Sequence, residues 1–204
     1  MPAYAEHPIT EASFAQIDRE IGEHTFTAAE YAVVRRVIHT TADFDFKQLV
    51  RFSHDPFAAA SQALGAGADM VTDVSMVAAG ITNVGKKTWQ PTVAIAVQQS
   101  GCPAGETRSA YGMRRCAIAS PQAIFVIGNA PTALLTLCEG IAQGKWCPAL
   151  VIGAPVGFIN VMESKQALAE LSVPHVLTEG RKGGSAVAAA IMNALMIWTW
   201  QQQP

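Results

Sequence analysis

His39 lies in the run Arg35-Arg36-Val37-Ile38-His39-Thr40-Thr41. Val34, Val37 and Ile38 recur at helical spacing and predict the buried face of a helix that ends near Thr40-Thr41. His39 then occupies the last turn, where the partial negative charge of the helix carboxyl end favours an imidazolium. Histidine is the side chain whose ordinary pKa lies near working pH, so this position suits a general acid. Arg35, one turn earlier, opposes that charge unless an anion occupies it. A capping or partly buried histidine is the alternative for the same residues. His54, ahead of Asp55-Pro56, reads as a structural turn residue.

The groups suited to holding an anion are spread over four segments. Ile127-Gly128-Asn129-Ala130-Pro131-Thr132-Ala133 and Ile152-Gly153-Ala154-Pro155-Val156-Gly157-Phe158 each follow an apolar, strand-like stretch and lead into a helical pattern. A strand that ends in glycine and opens a helix offers free backbone N–H groups, which puts Gly128, Asn129 and Gly157 at a candidate ligand edge. Gly180-Arg181-Lys182-Gly183-Gly184-Ser185 is a basic, glycine-rich helix start. Its Arg181, Lys182 and Gly183 can grip a carboxylate or phosphate, or simply form a solvated basic turn. Arg108 follows Thr107 at another helix start, in place for an anion clamp or a surface salt bridge. Glu163, Ser164 and Lys165 form a polar cluster in the first turns of a further helix. The chain holds no G-x-G-x-x-G and no P-loop ending.

These segments must be positioned by regular elements. Thr10 is a plausible N-cap for a first helix, with Ile9 and Phe14 at staple spacing and Gly22 to end it. Thr27 and Glu30 have capping-box spacing for a second. Asp43 to Val50 reads as a short third helix, and Pro56 opens a fourth that stops at Gly65-Ala66-Gly67. From Ala68 the pattern alternates. Strands are predicted at 70–72, 93–97, 123–127, 149–152 and 175–177. A helix or turn is predicted at 73–79 and helices at 106–117, 132–142 and 161–171, with a last one from Ser185 to about Trp198. Asn160 can cap the helix at 161. This is an α/β pattern with a mostly parallel sheet of about five strands, three-layered and flavodoxin-like, preceded by amino-terminal helices. In the order 2-1-3-4-5, the switch point between the first and third strands is expected to bring Thr82 beside Gly128-Asn129.

The chain has 204 residues and reads as one domain, with a helical part to about residue 67. Half its residues are hydrophobic and 15% are charged, which predicts an extensive interior or a buried subunit interface. A net charge of −2 gives no reason to expect nucleic acid. No apolar run is long enough to span a bilayer, and Met1 to Thr10 has no export pattern. The four cysteines, Cys102, Cys116, Cys138 and Cys147, match no zinc or redox spacing and read as free thiols in the cytoplasm. No cluster of histidines, cysteines and carboxylates resembles a metal site.

Seven segments together resemble the precorrin-8X methylmutase family, also called precorrin isomerase. They are Arg36 to Asp45, Gly80-Ile81-Thr82, Glu106-Thr107-Arg108-Ser109, Gly128 to Leu134, Gly153 to Phe158, Glu163-Ser164-Lys165 and Gly180 to Ser185. They occur in family order and cover nearly the whole chain. The run His39-Thr40-Thr41-Ala42-Asp43-Phe44-Asp45 is closer to the cobalt-dependent members. The resemblance implies a homodimer with a corrinoid tetrapyrrole bound near the subunit interface and no cofactor. It also implies migration of a methyl group from C-11 to C-12 of the macrocycle. The family's catalytic histidine maps onto His39, and neighbouring site positions map onto Ser13, Thr82 and Arg108. On this reading Arg35, Ser164, Arg181, Lys182 and the glycine turns serve the substrate's carboxylate arms. At Ile159-Asn160-Val161-Met162 many members carry smaller residues, so the pocket here is expected to be narrower. Two other readings are a non-catalytic corrinoid carrier and a flavodoxin-like nucleotide-binding domain. The second needs a phosphate loop that Gly80-Ile81-Thr82-Asn83 makes poorly.

Overall fold

A computed structural model describes residues 4–203. The sheet is built from β1 (Val50–Ser53), β2 (Met70–Thr72), β3 (Val93–Ile95), β4 (Ile124–Ile127), β5 (Leu150–Gly153) and β6 (His175–Thr178), in the order β1-β6-β5-β4-β2-β3. Strands β2 to β6 are mutually parallel and follow the expected flavodoxin-like order. β4, β5 and β6 are buried at every position, as the continuous apolar runs of a sheet covered on both faces require.

The sixth strand is a correction. Residues 43–50 were expected to form a helix, but the helix α3 is only Phe46–Leu49, and β1 follows it directly. β1 pairs antiparallel with β6, Val50 opposite Thr178 and Ser53 opposite His175. Its signal was the alternation of Val50 and Phe52 with Arg51, which is short beside the helical residues that precede it. β1 also ties the amino-terminal part into the sheet.

Helices α6 (Arg108–Ala119), α7 (Pro131–Ala142) and α8 (Val161–Ala169) cover one face around Phe125, Leu134 and Leu137. α4 (Pro56–Gly65), α5 (Ser75–Lys87) and α9 (Ser185–Gln201) cover the other around Ile124, Ile152 and Ile191. α9 lies at the centre of that layer, buried at most of its positions. α2 (Ala28–Thr41) packs outside α9, and α1 (Pro8–Glu20) packs on α2.

Local chemistry explains most helix starts. Thr27 and Glu30 close the expected capping box of α2. α1 begins earlier than predicted. His7 accepts the N–H of Ile9, Pro8 takes the first turn, and Ile9 is left exposed rather than stapled. Asn160 adopts a left-handed conformation (φ 59°) and its side chain makes no cap, which corrects its predicted role. α5 runs eight residues beyond its predicted end, through Gly80. A β-carbon at Gly80 would lie 2.7 Å from that of Ala189, so this glycine lets α5 and α9 approach. Trp89, just past α5, docks on α9 through Nε1 to the Met196 carbonyl at 3.0 Å.

Candidate active site

Parallel strands deliver the loops after β2, β3, β4, β5 and β6 to one edge of the sheet, the carboxyl edge. Asp73, immediately after β2, is fully buried there. Its carboxylate accepts N–H bonds from Gly128 at 3.1 Å, Asn129 at 2.7 Å and Ala130 at 2.7 Å. Burial holds this carboxyl's pKa above its ordinary value, and the N–H bonds offset only part of that rise. The N–H groups of Gly128 and Asn129 are therefore occupied from within, which corrects the expectation of an open cradle. Gly128 is instead a packing glycine. A β-carbon there would lie 2.8 Å from Ser185 Cα and 2.9 Å from Ala188 Cβ.

The loop between β6 and α9 is braced from below by Lys165. This side chain is 3% exposed, and its ammonium donates to the carbonyls of Gly180 and Lys182, both at 2.8 Å. Burial lowers its pKa from 10.5 to about 8. Thr178 Oγ1 donates to the same Lys182 carbonyl at 3.0 Å. Gly183 packs so closely on the Ala154 carbonyl that a β-carbon would lie 2.4 Å away, and Gly184 N–H donates to that carbonyl at 2.8 Å. Gly157 N–H reaches the Arg181 carbonyl at 3.4 Å, with Gly157 at φ 143°. Ser164 is fully buried, and its hydroxyl donates to Val161 O at 2.8 Å. It belongs to the first turn of α8 and faces no ligand surface.

Above this loop two cations differ. Lys182 Nζ bonds Asp43 at 2.7 Å and Asp45 at 2.6 Å. These bonds raise the lysine's pKa and lower that of Asp43. Arg181 is exposed and stands 5.5 Å over the Phe158 ring. Phe158 and Ile159 are themselves 83% and 80% exposed, and with Val156 and Met162 they form an apolar rim to the edge.

The Asp43–Lys182 pair ties the end of α2 to this edge. α2 closes at Ala42, which is left-handed (φ 53°), three residues after His39. His39 Nδ1 lies 2.9 Å from Ser13 Oγ, and the His39 ring meets Phe14 edge-on at 5.3 Å. Ser13 and His39, 26 positions apart in sequence, are thus brought together as the resemblance implied. Arg35 does not reach out toward a ligand. It pairs with Asp18 at 3.1 Å and lies 4.4 Å over the Phe14 ring. Its charge is met by an anion of the protein itself.

Arg108 opens α6 at the carboxyl edge and is exposed, with Nη2 donating to the Val97 carbonyl at 2.7 Å. Thr82 lies elsewhere. It is seven residues into α5, about 10 Å back along the helix from the edge. Its hydroxyl donates to Ala78 O at 2.7 Å. It lines a cleft of about 330 Å³ with Lys86, Pro91 and Val93, at the start of β3. The expected meeting of Thr82 with Gly128-Asn129 does not occur, because α5 carries it toward the opposite edge. Asp73 takes that place. The sequence carries little sign of Asp73, since its partners lie 55 to 57 positions away. Lys165 was visible only as part of a polar cluster. Its apolar neighbours at helical spacing were the available hint that it points inward.

Residues 8–198 match the family model for precorrin-8X methylmutase. The chain is 48% identical to the cobalt-precorrin-8 methylmutase of Synechocystis sp., over 97% of this chain and 98% of that one. It is 40% identical to the precorrin-8X methylmutase of Pseudomonas aeruginosa, over 90% of this chain and 91% of the relative. Its fold superposes on the crystal structure of precorrin-8X methyl mutase from Thermus thermophilus with a TM-score of 0.86. The two are 41% identical, over 95% of this chain and 98% of that one.

Proposed function

The chain belongs to the precorrin-8X methylmutase family and is an isomerase of cobalamin biosynthesis; on that premise we propose that it moves a methyl group from C-11 to C-12 of precorrin-8X or cobalt-precorrin-8, with His39 as proton donor. The observation that carries the histidine's role is the 2.9 Å contact of its Nδ1 with Ser13 Oγ. That contact fixes the ring and leaves Nε2 as the nitrogen that meets substrate.

The shift is intramolecular, so every atom of the substrate is kept. The methyl leaves one tetrahedral ring carbon for its neighbour, and conjugation extends around the macrocycle. Protonating the ring system makes its π-system electron-poor and lowers the barrier to migration, and product release returns the proton. One group titrating near working pH suffices, which is histidine's range. His39 sits in the last turn of α2, three residues before the helix closes at Ala42. The remaining task is to hold a flexible macrocycle in one geometry. Arg108 and Arg181 are the exposed cations for its acetate and propionate arms, and the rim of Val156, Phe158, Ile159 and Met162 offers an apolar surface to its face. Cobalt, where present, arrives inside the substrate.

This reading includes one domain over residues 1–204, supported by β1 pairing with β6 and by α2 packing on α9. It includes a homodimer whose second subunit covers the exposed rim. It also places the reaction in the cytoplasm; among the described residues no helix is long and apolar enough to cross a membrane. A nucleotide-binding reading loses its phosphate loop, because Gly80-Ile81-Thr82-Asn83 lies within α5. The test is anaerobic incubation with precorrin-8X and, separately, its cobalt form. A rearranged corrin of unchanged mass, identified by absorbance and mass spectrometry, is expected. Bound but unrearranged ligand would make the protein a carrier.

A further inference from the structure

We propose that Asp73 is a positioning residue for the reaction: its carboxylate is an internal anion that fills the turn after β4, and its peptide unit holds the segment on which Arg108 is set. Three N–H groups converging on one carboxylate are what such a turn offers an incoming carboxylate or phosphate. Here the anion is supplied by the protein, and Asp73 is fully buried. The turn is therefore a wall of the substrate site, and the substrate's arms are left to the outer cations.

The second half of the inference follows the backbone. The Asp73 carbonyl accepts the Val97 N–H at 3.1 Å, and the Val97 carbonyl accepts Arg108 Nη2 at 2.7 Å. A parallel brace joins the same segments, Gln98 Nε2 to Ser75 Oγ at 3.2 Å. Residues 73–75 and 96–98 are thus joined into one unit by these bonds. Losing the carboxylate frees that unit from the 128–130 turn and lets the Arg108 guanidinium swing. Asp73 itself touches no substrate.

The inference rests on the assignment of Arg108 to the substrate made above, and the test separates the two. Steady-state turnover of cobalt-precorrin-8 and thermal melts are measured for the wild type, Asp73→Ala, Asp73→Asn, Arg108→Ala and the Asp73→Ala/Arg108→Ala double variant. Asp73→Ala is expected to raise KM roughly tenfold, with a much smaller change in kcat. Arg108→Ala should do the same, and the double variant should be no worse than either single one. Formate is nearly the group removed. It should lower the KM of Asp73→Ala and raise its melting temperature while leaving the wild type unchanged. Asp73→Asn is isosteric but sets an amide N–H against a backbone N–H, and it should behave like Asp73→Ala. If Asp73→Ala does not fold, Asp73→Asn carries the same comparison. A lowered melting temperature with wild-type KM would make Asp73 purely structural and overturn the inference. Raised KM in Arg108→Ala alone would overturn it too, leaving the role of Arg108 intact. Wild-type KM in Arg108→Ala would overturn the assignment of Arg108, and the inference with it.

Discussion

His39 and Ser13 stand one hydrogen bond apart, and in the proposed reaction that bond leaves Nε2 as the nitrogen that meets substrate. Removing the imidazole removes the acid and little of the binding surface. His39→Ala is therefore expected to lose turnover by roughly a hundred- to ten-thousand-fold. Its affinity for the corrin product should stay within severalfold of wild type, read by titration of the visible spectrum. Equal single-turnover rates would remove His39 from the chemistry. Lys165 makes a different prediction. Burial lowers its pKa in the folded chain from 10.5 to about 8. Between those two values the unfolded chain binds the extra proton. Stability attributable to this side chain therefore rises with pH across that window. Wild type and Lys165→Met should be compared by urea midpoint at pH values below and within it. The difference should move in favour of wild type as pH rises, and a difference independent of pH would contradict the lowered pKa. Local spacing placed His39 at a helix end but left a capping histidine open, and its proposed role comes from the family resemblance. The role of Lys165 depends on carbonyls 15 and 17 positions away, which no local spacing records.

The elements were legible where their signals are local. The capping box of α2 holds Thr27 Oγ1 3.3 Å from the Glu30 N–H, with the Glu30 carboxylate returning to Thr27 N–H at 2.9 Å. Thr27→Ala should lower stability by about 1 kcal/mol, measured as a fall in the urea midpoint with an unchanged slope. The order of the five parallel strands could be read because short apolar runs alternate with helices, and right-handed crossovers leave few arrangements. β1 escaped because four residues in an edge strand carry too short an alternation to outweigh the helix before them. The placement of Thr82 failed for another reason. The predicted segment ends at residue 79, just before Gly80, whereas Gly80 is a contact point of α5 with α9, 109 positions later in the chain. The turns at Gly128 and Gly157 lie at the carboxyl edge of the sheet, as their place after apolar strands predicts. Gly128 and Gly183 are set there by close packing and, at Gly128, by the buried Asp73, which no local spacing records.

At the scale of the molecule, a chain half hydrophobic in composition buries most of that surface in two cores, one on each face of the sheet. Among the large apolar side chains left exposed, Phe158, Ile159 and Met162 stand together beside Arg181 at the carboxyl edge. In the proposed homodimer a second copy covers them. The double variant Phe158→Asp/Ile159→Asp should sediment as a monomer and lose most of its corrin affinity. A variant dimer with undiminished affinity would place the interface elsewhere. The central position of α9 has a consequence for how the chain comes into being. α2, which carries His39, rests on α9, and β1 pairs with β6. The amino-terminal segments therefore emerge from the ribosome long before the partners that fix them. Native placement of His39 therefore waits on α9, which is made much later, and contacts of such long sequence separation make assembly intrinsically slow. A chain cut short anywhere within α9 would keep His39 in its sequence but lose part of the support that positions it.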